Sequence, residues 1–307
     1  MKEFFINSSI DNQKLFCVDF SEKVTKPRFV VQLIHGMQEH IKRYETFANF
    51  LTNNGIKVIG MDTRGHGETG RLMKFMGHLS DENGNEKVVE DVNDLNKYIK
   101  TNFKDAKVII LGHSMGSLIL RNYINKYSEN IDGAIVCGST GLADINVNLG
   151  YLLAKHYVRR YGKRGKSPFL NVLPFKNNNK YIKEPKTVFD WLTRDESISL
   201  AYKKDSKCGF LCTNQFYIDL LKLVKNMSKK KNLLDVKNKK LPIYFISGEM
   251  DPVGKYGKGV KKSVDFYHKA KFENISLSLY PEMRHEILNE IDKEVVYNDI
   301  LEFVKKI

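Results

Sequence analysis

Residues 108–119 read Val-Ile-Ile-Leu-Gly-His-Ser-Met-Gly-Ser-Leu-Ile, and this stretch decides the fold. The apolar, β-branched run predicts a buried strand. A helical pattern leaves the segment on its other side. Between them stands Gly112-His113-Ser114-Met115-Gly116, the Gly-x-Ser-x-Gly pattern of a sharp strand-to-helix turn that exposes a serine oxygen. Small residues two before and two after the serine let the backbone fold that tightly, because a β-carbon there would strike the neighbouring chain. Alone the pattern is weak. In a strand–turn–helix context it makes Ser114 a candidate nucleophile.

A serine hydroxyl needs a base in reach and an acid to orient that base. Two later strand ends supply candidates. Residues 241–251 form an apolar strand ending in a turn with Asp251, followed by Pro252. Residues 275–285 form a second strand and a short loop with His285. Strand-end loops are natural positions for chemistry on a rigid scaffold. Taken singly, Asp251 reads equally as a turn former before proline, and His285 as a residue at the N-terminal end of the helix predicted near 286–306. Taken with Ser114, they make a triad. Acyl transfer also requires backbone N–H donors for the developing oxyanion. The amide of Met115 is one candidate. The other is the amide of Met37, in the His35-Gly36-Met37 turn after the strand 29–34, where Gly36 lets the backbone approach a bound acyl group.

Further strands are predicted near 15–20, 56–61 and 132–137, with an edge hairpin at the start. Helices are predicted near 41–53, 87–102, 115–128, 213–227 and 257–270. This alternation argues for an α/β fold with a mostly parallel sheet covered on both faces. It breaks between about 140 and 210. There Leu149, Leu152, Leu153, His156 and Tyr157 recur at helical spacing. They are expected to pack on the rest of the protein or to roof an acyl pocket, with Leu149, Leu152 and Leu153 as the substrate-binding candidates.

Five segments resemble the monoacylglycerol lipase and bacterial lysophospholipase group of α/β-hydrolases. They are His35-Gly36-Met37-Gln38-Glu39-His40, Asp62-Thr63-Arg64-Gly65-His66-Gly67, the Ser114 turn, Ser247-Gly248-Glu249-Met250-Asp251-Pro252, and Tyr280-Pro281-Glu282-Met283-Arg284-His285-Glu286. Trp191–Glu196 and Lys207–Phe210 resemble the end of that group's cap. The segments span nearly the whole chain in the group's order, with the acid and then the histidine following the serine. Two positions depart: Gln38 stands where the group usually has glycine, and Glu68-Thr69 where it usually has serine. The resemblance implies the α/β-hydrolase fold, with a helical cap inserted after the sixth strand. It divides the chain into core 1–139, cap 140–210 and core 211–307. It implies a serine carboxylic-ester hydrolase that cleaves monoacylglycerols or lysophospholipids through an acyl-enzyme. His66 and His113 are then companions of their motifs rather than bases.

Composition narrows the alternatives. The 307 residues, 42 % of them apolar, suffice for one large domain with an insertion. No apolar run approaches the ~20 residues that span a bilayer. The N-terminal stretch lacks a signal core, so a cytoplasmic setting is expected. Cys17, Cys137, Cys208 and Cys212 are too scattered for a disulfide framework and lack zinc-type spacing, so free thiols, no metal and no cofactor are expected. The net charge of +14 includes nine Lys/Arg and no acid within 151–183. That is either solvated surface or peripheral contact with an anionic membrane. No nucleic-acid module is present. An aminopeptidase of the same fold would want cap carboxylates for a substrate ammonium, for which Glu184, Asp195 and Glu196 are available. A non-catalytic ligand-binding protein on this fold is a third reading.

Overall fold

The computed structural model describes residues 1–307. Eight strands form one sheet in the order β1-β2-β4-β3-β5-β6-β7-β8. They are β1 (Lys2–Asn7), β2 (Lys14–Asp19), β3 (Phe29–Ile34), β4 (Lys57–Met61), β5 (Lys107–His113), β6 (Gly133–Cys137), β7 (Ile243–Gly248) and β8 (Ile275–Tyr280). β1, β2 and β4 pair antiparallel; every other pairing is parallel. The helices are α1 (Glu45–Asn53), α2 (Gly67–Leu72), α3 (Gly84–Asn102), α4 (Met115–Tyr127), α5 (Ile145–Tyr161), α6 (Pro168–Val172), α7 (Glu196–Lys204), α8 (Asn214–Met227), α9 (Lys230–Leu234), α10 (Lys258–Lys269) and α11 (Lys293–Lys306).

Central strands are apolar at every position because both sheet faces are covered. Along β5, Val108 and Ile110 join the core beneath α3, α4, α8 and α10, while Ile109 and Leu111 join the core beneath α1 and α11. Strand alternation thus feeds two layers at once. The register sets Gly112 between Ile34 of β3 and Val136 of β6, so the strands that carry the site end level with one another. This is the α/β-hydrolase fold, with the expected hairpin at the β1 edge.

Two predicted helices differ. The 41–53 helix begins as a 3-10 turn over Ile41–Tyr44. The 286–306 helix is interrupted: a 3-10 turn covers Ile287–Asn289, and α11 starts only at Lys293. Glu290 causes the break. Its fully buried carboxylate accepts from the Arg194 and Arg284 backbone N–H groups and from the Arg194 side chain, which turns the chain inward. His285 therefore sits in a loop, not at a helix start.

Candidate active site

Ser114 lies at the junction of β5 and α4 with φ 52° and ψ −117°, a conformation costing about 1–3 kcal/mol for a residue with a side chain. Its surroundings enforce it. A β-carbon on Gly112 would come 2.3 Å from the Gly116 carbonyl oxygen, and one on Gly116 would come 2.2 Å from that of Ile34. The Ser114 N–H is tied to the Cys137 carbonyl of β6 at 3.0 Å.

Asp251 follows β7 and is fully buried. Its Oδ1 accepts from His285 Nδ1 at 3.0 Å and from the Val253 N–H at 2.8 Å. Its Oδ2 accepts from the Ser247 hydroxyl at 3.3 Å. His285 follows β8, its ring between Trp191 at 5.0 Å and His113 at 4.8 Å. The Asp251 bond fixes which imidazole nitrogen is free. Ser114 and His285 line one cavity of about 400 Å³, whose floor includes Gly36 and Met37. The Met37 N–H donates to no group of the protein. Met115 opens α4, so its N–H has no partner within the helix.

Part of the cavity lining belongs to a buried ionic network that sequence reasoning did not find. Glu39 Oε1 accepts from the Gly36 N–H at 2.6 Å and the Tyr44 hydroxyl at 2.9 Å, and lies 3.4 Å from His113 Nδ1. Arg43 donates to Glu39 at 2.6 Å and, with two nitrogens, to both oxygens of Glu286 at 2.7 Å. Burial alone would raise the Glu39 carboxyl, but Arg43 and His113 hold it well below the usual range. His113 is likewise pushed down by burial, yet Glu39 lifts it above the ordinary histidine value. His113 thus belongs to the support, with Nε2 toward the His285 carbonyl oxygen at 3.3 Å. His66 lies away from the cavity, and burial lowers its pKa to about 3.

Gln38 explains its departure from glycine. Its φ is 58°, a region glycine adopts freely and glutamine only under restraint. The restraint comes from the chain before α8. The Gln38 carbonyl accepts from the Tyr202 hydroxyl at 2.7 Å and the Gly209 N–H at 2.9 Å, and its side-chain amide donates to the Phe210 carbonyl at 2.6 Å. These bonds fasten the loop beside Met37 to the chain that leads into α8.

The substrate-binding residues read from sequence require correction. Leu149, Leu152 and Leu153 do not line the cavity; its apolar walls come from Phe175, Val188, Phe189, Trp191 and Leu192. Leu149 and Leu152 are 56 % and 62 % exposed, while Leu153 leans on the core. The cause is the docking of α5 on α8. A β-carbon on Gly150 would meet Leu221, and Ala154 is fully buried, so the small residues set the buried face and turn Leu149 and Leu152 outward. The Gly150-x-x-x-Ala154 spacing was the available signal. The cap carboxylates are also elsewhere: Asp195 caps α7, and Glu196 pairs with Lys186.

For metals, the structure brings one donor set together. His40, Asp205 and Cys208 place ligand atoms within 4.8 Å of one another, outside the cavity. His40 Nε2 and Asp205 Oδ2 already satisfy each other at 2.8 Å. All four cysteines are free and buried.

With this geometry in place, comparison with known proteins is informative. The family described as serine aminopeptidase, S33, matches residues 25–292. The chain belongs to this family of α/β-hydrolases. Within the wider set of relatives, it is 26 % identical over 290 residues to a monoacylglycerol lipase of Mycolicibacterium smegmatis, covering 91 % of this chain and 89 % of that one. It is 25 % identical to the phospholipase YtpA of Bacillus subtilis, covering 90 % and 94 %. A thermostable carboxyl esterase of Bacillus coagulans, solved with glycerol, superposes with a TM-score of 0.91 at 26 % identity, covering 100 % of this chain and 98 % of that one.

Proposed function

We propose that this family member is a serine carboxylic-ester hydrolase that cleaves acyl esters of glycerol-type lipids, monoacylglycerols or lysophospholipids. The carrying observation is the cavity itself: an apolar roof over Ser114 and His285, with the unpaired Met37 N–H at its floor. Ser114 Oγ attacks the ester carbonyl while His285 takes its proton through the nitrogen that Asp251 leaves free. The Met37 and Met115 amides receive the oxyanion. His285 then returns the proton to the departing glycerol oxygen, and water resolves the acyl-enzyme with the same base. Residues 140–210 serve as the cap, with 1–139 and 211–307 as core.

The aminopeptidase reading has a specific observation against it. The cavity carboxylates Glu39 and Glu286 are both paired with Arg43, and Lys176 also lines the cavity, so no carboxylate is free for a substrate ammonium. The likeness to a lipase, a phospholipase and a carboxyl esterase supports the ester reading.

Peripheral contact with an anionic membrane belongs to the same proposal. Ile145, Leu149 and Leu152 face outward on α5, the helix that ends in Arg159 and Arg160. Val172 and Val188 are cavity residues yet 58 % and 74 % exposed, so apolar surface continues from the mouth outward. No helix is long and apolar enough to cross a membrane. The buried free thiols support a reducing, cytoplasmic setting, and no nucleic-acid partner is proposed.

The test is a panel of p-nitrophenyl esters, monoacylglycerols, lysophospholipids and aminoacyl amides, run with the wild type and Ser114→Ala. Esters should turn over and amides should not. The substitution should cost at least ~10³-fold while the fold persists. A fluorophosphonate should label the wild type only. Equal labelling of Ser114→Ala, or preference for aminoacyl amides, overturns the reading.

A further inference from the structure

Arg121 is a buried charge without a counter-ion. It lies on α4 about two turns beyond Ser114, and its side chain is fully buried. Nη1 donates to the Thr140 carbonyl at 3.1 Å and approaches the Ser139 hydroxyl at 3.4 Å. Nε and Nη2 make no hydrogen bond of ordinary length, and Tyr267 is the only titratable side chain close enough to act on the guanidinium. Those two nitrogens form one edge of the guanidinium, the edge that ordinarily grips a carboxylate with two parallel bonds. Here no carboxylate is present. Burial pushes the Arg121 pKa down, and the only group acting against it is the neutral Tyr267 phenol, whose hydroxyl approaches the guanidinium as a hydrogen-bond partner and whose ring lies 5.8 Å from the guanidinium carbon.

A guanidinium remains protonated even under such pressure. A buried, uncompensated charge costs several kcal/mol unless something neutralises it. The two helices that carry Arg121 and Tyr267 hold further orphaned polar atoms. The Ser263 hydroxyl, one turn before Tyr267 on the same face of α10, is buried and unpartnered, and the buried Tyr267 hydroxyl has no hydrogen-bonding neighbour other than Arg121. The side-chain amide of Asn125, one turn beyond Arg121 on α4, is likewise buried and unpartnered. These groups offer N–H and O–H donors, the hydroxyls being free to rotate. The cavity beside Ser114 is not lined by these residues, so this cluster is separate from it.

We propose that Arg121, with Tyr267 and Ser263 and Asn125 around it, holds a monovalent inorganic anion of halide size, chloride being the physiological case. The anion takes two bonds from the free guanidinium edge and the remainder from the hydroxyls. It fastens the nucleophile helix α4 to α10, which follows the Asp251 loop. It is a structural ligand of the folded state, independent of the substrate assignment.

Because the anion binds the native state alone, stability must rise with its concentration. In chloride–gluconate mixtures of constant ionic strength, the wild-type Tm should climb by about 2 °C for each tenfold rise in chloride above half-saturation. In Arg121→Met, which removes the charge and keeps an apolar stem, this slope should vanish. Tyr267→Phe should reduce it. Crystals grown in bromide should show an anomalous peak beside Arg121 Nε and Nη2. Should Arg121→Met fail to fold, the wild-type slope and the bromide peak still decide. A Tm indifferent to chloride, a slope retained in Arg121→Met, or a bromide-free site holding only water each overturns the proposal.

Discussion

The strand-end loops and the helical segment between β6 and β7 follow different rules. Ser114, Asp251 and His285 sit at the ends of β5, β7 and β8, whose neighbours in one sheet fix each position along the strand. A one-residue slip there would turn every side chain to the wrong face, so sequence specifies these positions tightly. The segment between β6 and β7 is built of helices whose burial depends on which partner each one meets. Along α5 the exposed leucines and the buried alanine share one turn pattern, and the contact with α8 alone decides which face is inside. Strand alternation therefore transmits position from sequence to site, while helical periodicity transmits only the existence of a face.

The comparison breaks hardest if the strand-end residues prove dispensable. His285→Ala should reduce ester turnover by at least ~10³-fold, as Ser114→Ala does. The double variant should be little worse than either, because base and nucleophile act as a unit. Steady-state kinetics on a soluble ester measures this. Additive losses in the double variant would mean that the two side chains act separately and that their convergence on one cavity is incidental.

A middle-sized effect is expected at the support. Glu39→Gln weakens the acceptor of the Gly36 N–H beside Met37 and leaves Arg43 paired with Glu286 alone. Losing a charged hydrogen-bond partner is worth about 1.5–3 kcal/mol, so kcat should fall roughly 10- to 100-fold with KM little changed. The pH response gives the sign. In the wild type the negative Glu39 outweighs burial and holds the His113 pKa above its ordinary value. In the variant burial is opposed only by Glu286 and the His285 carbonyl, so His113 should titrate lower than in the wild type, as an NMR titration of its ring would show. Glu39 is itself depressed, so its stabilisation is present above the unfolded carboxylate pKa and is lost as pH falls through the folded value. The variant should lack that acid-side loss.

Legibility followed the same divide. The sheet, the Ser114 turn, Asp251, His285 and the Met37 loop could be read because each is announced by a local run of apolar residues ending in a turn. The Gln38 bonds to Tyr202, Gly209 and Phe210 could not, because they join residues more than a hundred positions apart. Nor could the His40, Asp205 and Cys208 cluster or the Arg121 environment, which exist only once distant helices and loops dock. The early break in the last helix was hidden for a related reason. Glu290 looks like a surface residue until Arg194 of the segment between β6 and β7 reaches it.

The smallest effect on chemistry, and the sharpest test of the divide, lies on α5. Leu149 and Leu152 are exposed and absent from the cavity wall, so Leu149→Ser with Leu152→Ser should leave hydrolysis of a soluble short ester within about twofold, as surface changes do. Their effect should appear only at a surface. Each leucine side chain is worth about 1.5–3 kcal/mol when fully buried, and the same helix carries Arg159 and Arg160 in its last turn. Sedimentation with anionic vesicles should therefore fall in the double variant at low and at high salt alike. Neutralising Arg159 and Arg160 should instead weaken sedimentation mainly at low salt, since exposed charges are screened within ~10 Å at 0.1 M. If the leucine variant loses soluble-ester turnover as well, α5 shapes the pocket after all, and the outward face assigned to it is wrong. If it sediments like the wild type, the exposed leucines are ordinary surface, and the segment between β6 and β7 meets substrate only through the cavity walls formed by Phe175, Val188, Phe189, Trp191 and Leu192.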